Sequence, residues 1–260
     1  MGKNHVTDMT VVEHLTELRN RIIWVLIVLV VSLILGLACA GPVMEYVKKT
    51  SAAGAIPTVA LAPTDIIRVY MQFAFLIALI VTLPVALYHV WKFVSPGLRE
   101  VEQRAAVYFI PAAFLLFVGG VLFGYLVIFP MLIGFMTKLT INTGNEVMFG
   151  IAQYFSFMFN FLIPFGLLFE LPIIVMFLTR LRILNPLRLA KIRRVAYFVL
   201  AVIGFSITPP DLVSHILVTI PLIILYEISV FLSRVVYRKQ LKEDEEWELQ
   251  YGSAEEVNVD

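Results

Sequence analysis

The 260-residue chain is 60% hydrophobic and only 15% charged, with a mean hydropathy of +0.90, whereas soluble domains carry about a quarter charged residues. With 20 Lys and Arg against 19 Asp and Glu the formal net charge is +1, so the overall balance points to no partner, nucleic acid included, and only the distribution of charge informs. The one cysteine, Cys39, lies in an apolar run, which excludes an internal disulfide framework or a cysteine metal cluster.

Six apolar blocks follow one another, at residues 22–40, 66–91, 105–136, 155–178, 195–207 and 212–232, and no soluble segment between them is long enough to hold a core. Residues 10–21 read as an amphipathic helix leading into the first block. Thr10 and Glu13 have capping-box spacing, and Val12, Leu15, Leu18 and Ile22 form an apolar stripe with His14, Glu17 and Arg21 on another face. The first block ends in Ala38-Cys39-Ala40, which imitates a signal cleavage site, but its apolar stretch is longer than a signal core and five blocks follow. It reads as a retained anchor. The third block is expected to hold a tilted helix ending near Pro130.

The fourth block is about 24 residues long, enough to cross ~30 Å of hydrocarbon as a helix. Glu170 lies inside it, bracketed by Pro164 and Pro172, so a kink beside the carboxylate is expected. The fifth block is only about 13 residues, or ~20 Å of helix. Thr208-Pro209-Pro210-Asp211 then forces a structural turn. Two arrangements fit the last pair: short spans meeting a thinned bilayer, or a re-entrant hairpin. Short spans are preferred, because local thinning meets a mismatch of this size. From about residue 237 the chain is polar and carries the acidic stretch Glu243-Asp244-Glu245-Glu246-Trp247-Glu248 without apolar periodicity. The expectation is a membrane domain over 1–236 and an unstructured cytoplasmic tail over 237–260.

Orientation follows from the basic residues. The gap between the fourth and fifth blocks holds Arg180, Arg182, Arg188, Lys191, Arg193 and Arg194 with no acid among them, which places it in the cytoplasm. Counting back puts the 92–104 loop and the N-terminus on the same side, with fewer cations in the opposite gaps. Six spans with both termini inside is the consistent answer.

Motifs of catalysis are missing. There is no P-loop, no His-Glu-x-x-His pair among the four histidines, and no Gly-x-Ser-x-Gly elbow. Neither a metal nor a cofactor is expected, and the chain does not read as an enzyme. What remains is acidic chemistry in three places. Glu17 has a plain explanation as the i,i+4 partner of Arg21, though Glu13 one turn earlier repels it and leaves carboxylate for an incoming cation. Glu102 follows the Ser95-Pro96-Gly97 turn, early in the next helix, where the macrodipole welcomes a negative charge. Glu170 either pins one helix to another or meets a partner, since an ionised Glu at mid-membrane costs roughly 2.5–3.5 kcal/mol on the mildest scales.

The stretch His14-Leu15-Thr16-Glu17-Leu18-Arg19-Asn20-Arg21 resembles the N-terminal signature of TatC, the multispanning subunit of the twin-arginine protein translocase. Four further segments match in order: Leu83-Pro84 through Trp91 with Phe93 and Pro96, Phe129-Pro130, Phe169-Glu170-Leu171-Pro172, and Thr208-Pro209-Pro210-Asp211. The resemblance covers roughly residues 10 to 238 and implies an all-α membrane protein. Its six helices would form a concave, glove-like bundle with short fifth and sixth helices, in the cytoplasmic membrane. It implies a receptor for paired-arginine signal peptides that exports folded proteins using the proton-motive force. Glu17 and Glu102 fall on the positions that contact the signal, with Arg19 and Phe93 tied to the same site. Glu170 falls on the position linked to a TatA-type single-span partner, with a TatB-type partner where present, in a homo-oligomeric complex. His215 departs from relatives that carry a polar amide there. A small-solute transporter would need several deep polar ligands, whereas only Glu170 is deep, with Glu227 and Arg68 nearer span ends. A structural scaffold is the third class, and paired-arginine against paired-lysine signal peptides separate the three.

Overall fold

The computed structural model describes residues 11–50, 58–95 and 109–256, with side chains over 15–50, 58–95 and 109–246. Glu102 and Pro96 lie outside the described residues. The elements in chain order are α1 (Val11–Thr50), β1 (Thr58–Val59), α2 (Asp65–Val94), α3 (Phe109–Phe123), a π-helical turn (Gly124–Ile128), α4 (Phe129–Asn142), β2 (Phe149–Gly150), α5 (Ile151–Leu168), α6 (Leu171–Arg180), α7 (Pro186–Lys191), α8 (Arg193–Ile207) and α9 (Leu212–Glu256). Five helical stretches among these residues are long and apolar enough to cross a membrane: Leu15–Thr50, Asp65–Val94, Phe109–Asn142, Ile151–Arg180 and Leu212–Glu246. Helix α8, of 15 residues, spans only ~22 Å at 1.5 Å per residue, in keeping with the short fifth block.

The chain divides into two compact units, residues 1–114 with 148–156, and residues 115–147 with 157–260. In the first, α1 packs along α2. The close approach is at Gly36, where a Cβ would stand 2.7 Å from the Ala74 carbonyl oxygen, so only glycine lets the two backbones meet. Much of α1 stays exposed, with Ile34 and Leu35 among its open apolar residues, as a lipid-facing helix requires. Asp65 starts α2 by accepting the Leu61 and Ala62 amides at 2.8 and 3.0 Å. The strands β1 and β2 pair in parallel, Thr58 with Phe149 and Val59 with Gly150. Beside them Gln72 donates to Ser156 at 2.9 Å, and Phe73 meets Phe155 edge-on at 5.3 Å.

The second unit is built around Ile128, Leu132, Phe161, Phe165, Leu200 and Leu222. Gly120 and Gly166 admit α5 against α3: a Cβ on Gly120 would lie 2.6 Å from the Phe165 carbonyl oxygen, and one on Gly166 2.8 Å from the Phe117 ring. Pro130 does not end the third span, contrary to expectation. Its missing N–H is absorbed by the π-turn, where Phe129 N–H reaches back five residues to the Gly124 carbonyl, and α4 continues to Asn142. The kink expected beside Glu170 is present as a break: α5 stops at Leu168 and α6 restarts at Leu171 with Pro172 in its first turn.

The C-terminal part differs most from the sequence reading. The sixth helix is not short and the polar tail is not without structure, since α9 runs through 45 residues to Glu256. A ladder of polar contacts holds it. Thr179 and Ser233 share a hydrogen bond at 2.7 Å, and the Gln240 amide donates to the Arg180 carbonyl at 2.7 Å. Arg180 pairs with Glu243 at 2.9 Å and Arg182 with Asp244 at 2.6 Å. Two of the acids expected in an unstructured tail thus meet the basic gap that precedes α8.

Candidate functional site

Around the N-terminal acidic position, α1 places Glu17 one turn below Arg21, and the Arg21 guanidinium donates to Glu17 Oε1. The Arg21 side chain is 12% exposed and that of Glu17 27%, so this pair is better shielded than an ordinary surface i,i+4 bridge. It is also incomplete: Glu17 Oε2 and Arg21 Nε are buried without a hydrogen-bond partner. Arg21 enters a groove of about 230 Å³ whose apolar walls are Ile22, Val25 and Leu26 of α1 and Ala86, Val90 and Phe93 of α2. His89 lines the same groove, and its Nδ1 is buried without a partner. Arg19 points to the open side of α1 and is exposed.

The structure therefore brings Phe93 together with the Glu17–Arg21 pair, through Arg21. Sequence spacing marked Arg21 and Phe93 separately but not the groove between them. The chemistry this arrangement allows is recognition of a cation beside an apolar segment: one unmatched carboxylate oxygen on Glu17, and an apolar groove lined by its partner Arg21.

In the second unit Glu170 sits in the turn between α5 and α6. It is 5% exposed, and neither carboxyl oxygen has a hydrogen-bond partner. Phe169 beside it stacks against Phe123 and Phe165 at 5.5 and 6.4 Å, which closes the turn over with aromatic rings.

The Pro209-Pro210 turn is followed by Asp211, whose Oδ1 accepts the Ser214 amide at 2.7 Å as an N-cap of α9. Thr208 before the prolines is extended, with φ −88° and ψ 155°. Asp211 Oδ2, Ser214 Oγ, His215 Nδ1 and Thr219 Oγ1 are buried and unpartnered at this corner, and a Cβ on Gly204 would touch Thr219 Oγ1 at 2.7 Å. Glu227, read from the sequence only as a polar residue near a span end, accepts from the Tyr197 hydroxyl and pairs with Arg193 at 2.9 Å. It anchors the start of α8 to α9. Among the described residues no cluster of three or more His, Cys, Asp or Glu converges on a metal position.

Comparison with known proteins follows the same outline. The family described as Sec-independent protein translocase protein (TatC) matches residues 13–221. The Sec-independent protein translocase protein TatCy of Bacillus subtilis is 46% identical over 242 residues, which is 93% of this chain and 95% of that protein. TatC of Escherichia coli K12 is 32% identical over 237 residues, 90% of this chain and 92% of that one. A crystal structure of the twin arginine translocase receptor TatC superposes with a TM-score of 0.74 at 30% identity, covering 86% of this chain and 99% of that one. A second crystal structure of that receptor, in DDM, gives 0.76 at 31% identity, covering 85% and 99%. With a family match over most of its length, and relatives and solved structures that agree with it, this chain belongs to the TatC family of Sec-independent protein translocase proteins.

Proposed function

We propose that this translocase component receives paired-arginine signal peptides, with Glu17 and Glu102 each taking one guanidinium and Arg19 and Phe93 shaping the same site. On this reading it is the core subunit through which folded proteins cross the cytoplasmic membrane, driven by the proton-motive force. Proteins of this family are transport components and not enzymes. The observation that supports the reading most is the partly shielded Glu17 carboxylate with one oxygen unmatched, paired with an arginine that lines an apolar groove. A signal peptide has a basic segment followed by an apolar one, and a guanidinium addresses a carboxylate in a planar, two-point geometry that an ammonium cannot copy.

Glu170 is the proposed contact for a TatA-type single-span subunit, and for a TatB-type subunit where one exists. A buried carboxyl group without a hydrogen-bond partner is costly to keep, and a donor arriving on a partner helix relieves that cost. The proposed topology has six spans, α8 being the short fifth, with both termini in the cytoplasm and copies of the chain assembling together. The test is export of a folded reporter in cells whose own TatC is replaced by this chain. A paired-arginine signal should be exported and a paired-lysine one retained. Cysteines at positions 142 and 190 should label from opposite sides of the membrane. Equal export of both signals overturns the reading.

A further inference from the structure

We propose that the connection between α6 and α8, with the first turn of α8, is a binding site for an anionic phospholipid, its headgroup held by Arg188, Lys191 and Arg194. The proposal is independent of the peptide-site reading. It starts from how the six cations of this gap are used. Arg180 pairs with Glu243, Arg182 with Asp244 and Arg193 with Glu227, and all three acids come from α9. Arg188, Lys191 and Arg194 are exposed and have no acidic partner among the described residues. Half of the basic gap is neutralised within the protein, and half is left for an anion from outside.

The connection is fixed from behind. Asn185 caps α7 by accepting the Leu187 amide at 2.9 Å, the Tyr226 hydroxyl of α9 donates to the Leu189 carbonyl at 3.0 Å, and Pro186 and Leu189 are buried. Helical hydrogen bonding carries on across the joint into α8, from the Ile192 amide to the Arg188 carbonyl and from the Ala196 amide to the Ile192 carbonyl. Positions 188, 191 and 194 therefore follow one helical path at spacings of three and share a face. The same face carries Leu187, Val195 and Phe198, which are 70, 63 and 69% exposed.

A band of cations bordered by open apolar side chains matches a phospholipid, which offers a charged head and apolar chains together. A soluble anion would leave the apolar residues to water. The connection joins the end of one span, Ile151–Arg180, to α8, whose apolar part starts at Val195, so its cations stand where the hydrocarbon begins. Phosphate oxygens at that level accept from guanidinium and ammonium groups, while Val195 and Phe198 meet the acyl chains, as in interfacial helices with a basic face. The bound lipid holds the start of the short α8 at the headgroup layer.

The experiment titrates the full-length protein in detergent with phosphatidylglycerol and, separately, with phosphatidylcholine, and counts bound lipid by native mass spectrometry. The two lipids share a phosphate and differ in net charge, so their difference reads the cations. The unaltered protein should bind phosphatidylglycerol more tightly. A cation beside an anionic lipid is worth about fivefold in affinity, so Lys191→Gln should weaken phosphatidylglycerol binding by about that factor and leave phosphatidylcholine little changed. The triple variant Arg188→Gln/Lys191→Gln/Arg194→Gln should lose the preference, and Lys191→Gln alone serves if the triple variant does not insert. Arg188→Lys/Arg194→Lys, which keeps the charge, should retain it. Lys48→Gln/Arg68→Gln/Lys138→Gln removes as much charge elsewhere in the chain and should leave the preference intact. An undiminished preference in the triple variant, or in Lys191→Gln where that variant stands in for it, overturns the proposal and gives the surface to an acidic protein segment instead. An equal loss in the control variant also overturns it, because the effect would then belong to net charge and not to a site.

Discussion

Two carboxylates in this molecule are shielded from water under opposite conditions. Glu17 shares α1 with Arg21 and is held by it at one oxygen. Glu170 lies in the turn between α5 and α6, almost fully buried, with neither oxygen partnered. A paired group is kept in place by its own chain, and a ligand must compete for it. An unpartnered one carries a standing desolvation cost, and a ligand that brings a donor removes it. The first arrangement makes any arriving cation compete with Arg21, and the second suits recruitment of a helix inside the bilayer.

The largest expected effect tests the paired side. Glu17→Ala and Glu102→Ala should each weaken cross-linking to a paired-arginine signal by roughly 1–3 kcal/mol. The double substitution should lose most of the binding while the protein still inserts. Unchanged binding in the double variant removes the distinction drawn above, because Glu17 would then be no more than a helix pair.

The next effect tests the unpartnered side. Glu170→Met keeps the volume and removes the polar oxygens, so the unbound protein should gain about 1–3 kcal/mol, the scale of a buried group left without a hydrogen bond. Cross-linking of a single-span partner near residue 170 and reporter export should both fall, and Glu170→Gln should retain more of each than Glu170→Ala. If Glu170→Met destabilises the protein instead, the carboxyl group has a structural partner and the contrast with Glu17 collapses.

Much of this was legible in the sequence because hydropathy at membrane scale is a strong signal. The breaks at Glu170 and at Pro209-Pro210 followed from proline chemistry. Pro130 misled because a proline in a helix can be absorbed by a π-turn when the preceding residues allow it, and Gly124 opens that turn with no side chain to crowd it. The tail misled for a different reason. Its helix is fixed by Gln240, Glu243 and Asp244 meeting Arg180 and Arg182, which lie about sixty residues earlier, and periodicity within 237–256 carries no trace of those partners. The groove lined by Arg21 was invisible for the same reason, since its walls come from two helices. Arg21 was noted only as a neighbour at helical spacing, although the same residue lines the groove.

The smallest effect is the one that most sharpens the comparison. A double-mutant cycle on Glu17→Gln and Arg21→Gln, read by unfolding in detergent, should give a coupling of only about 0.3–0.5 kcal/mol, the value of an i,i+4 helix pair. Partial burial raises the Coulomb attraction of the pair, but it also raises the desolvation of two charges that satisfy each other at one point only. These terms offset, so a shielded pair can be nearly neutral for folding and still govern binding. A coupling well above 1.5 kcal/mol would mean that Arg21 is held too firmly for a peptide arginine to displace it at modest cost. A small coupling, together with a large loss of signal binding in Glu17→Gln, is the result that ties Glu17 to the peptide and leaves folding out of its role.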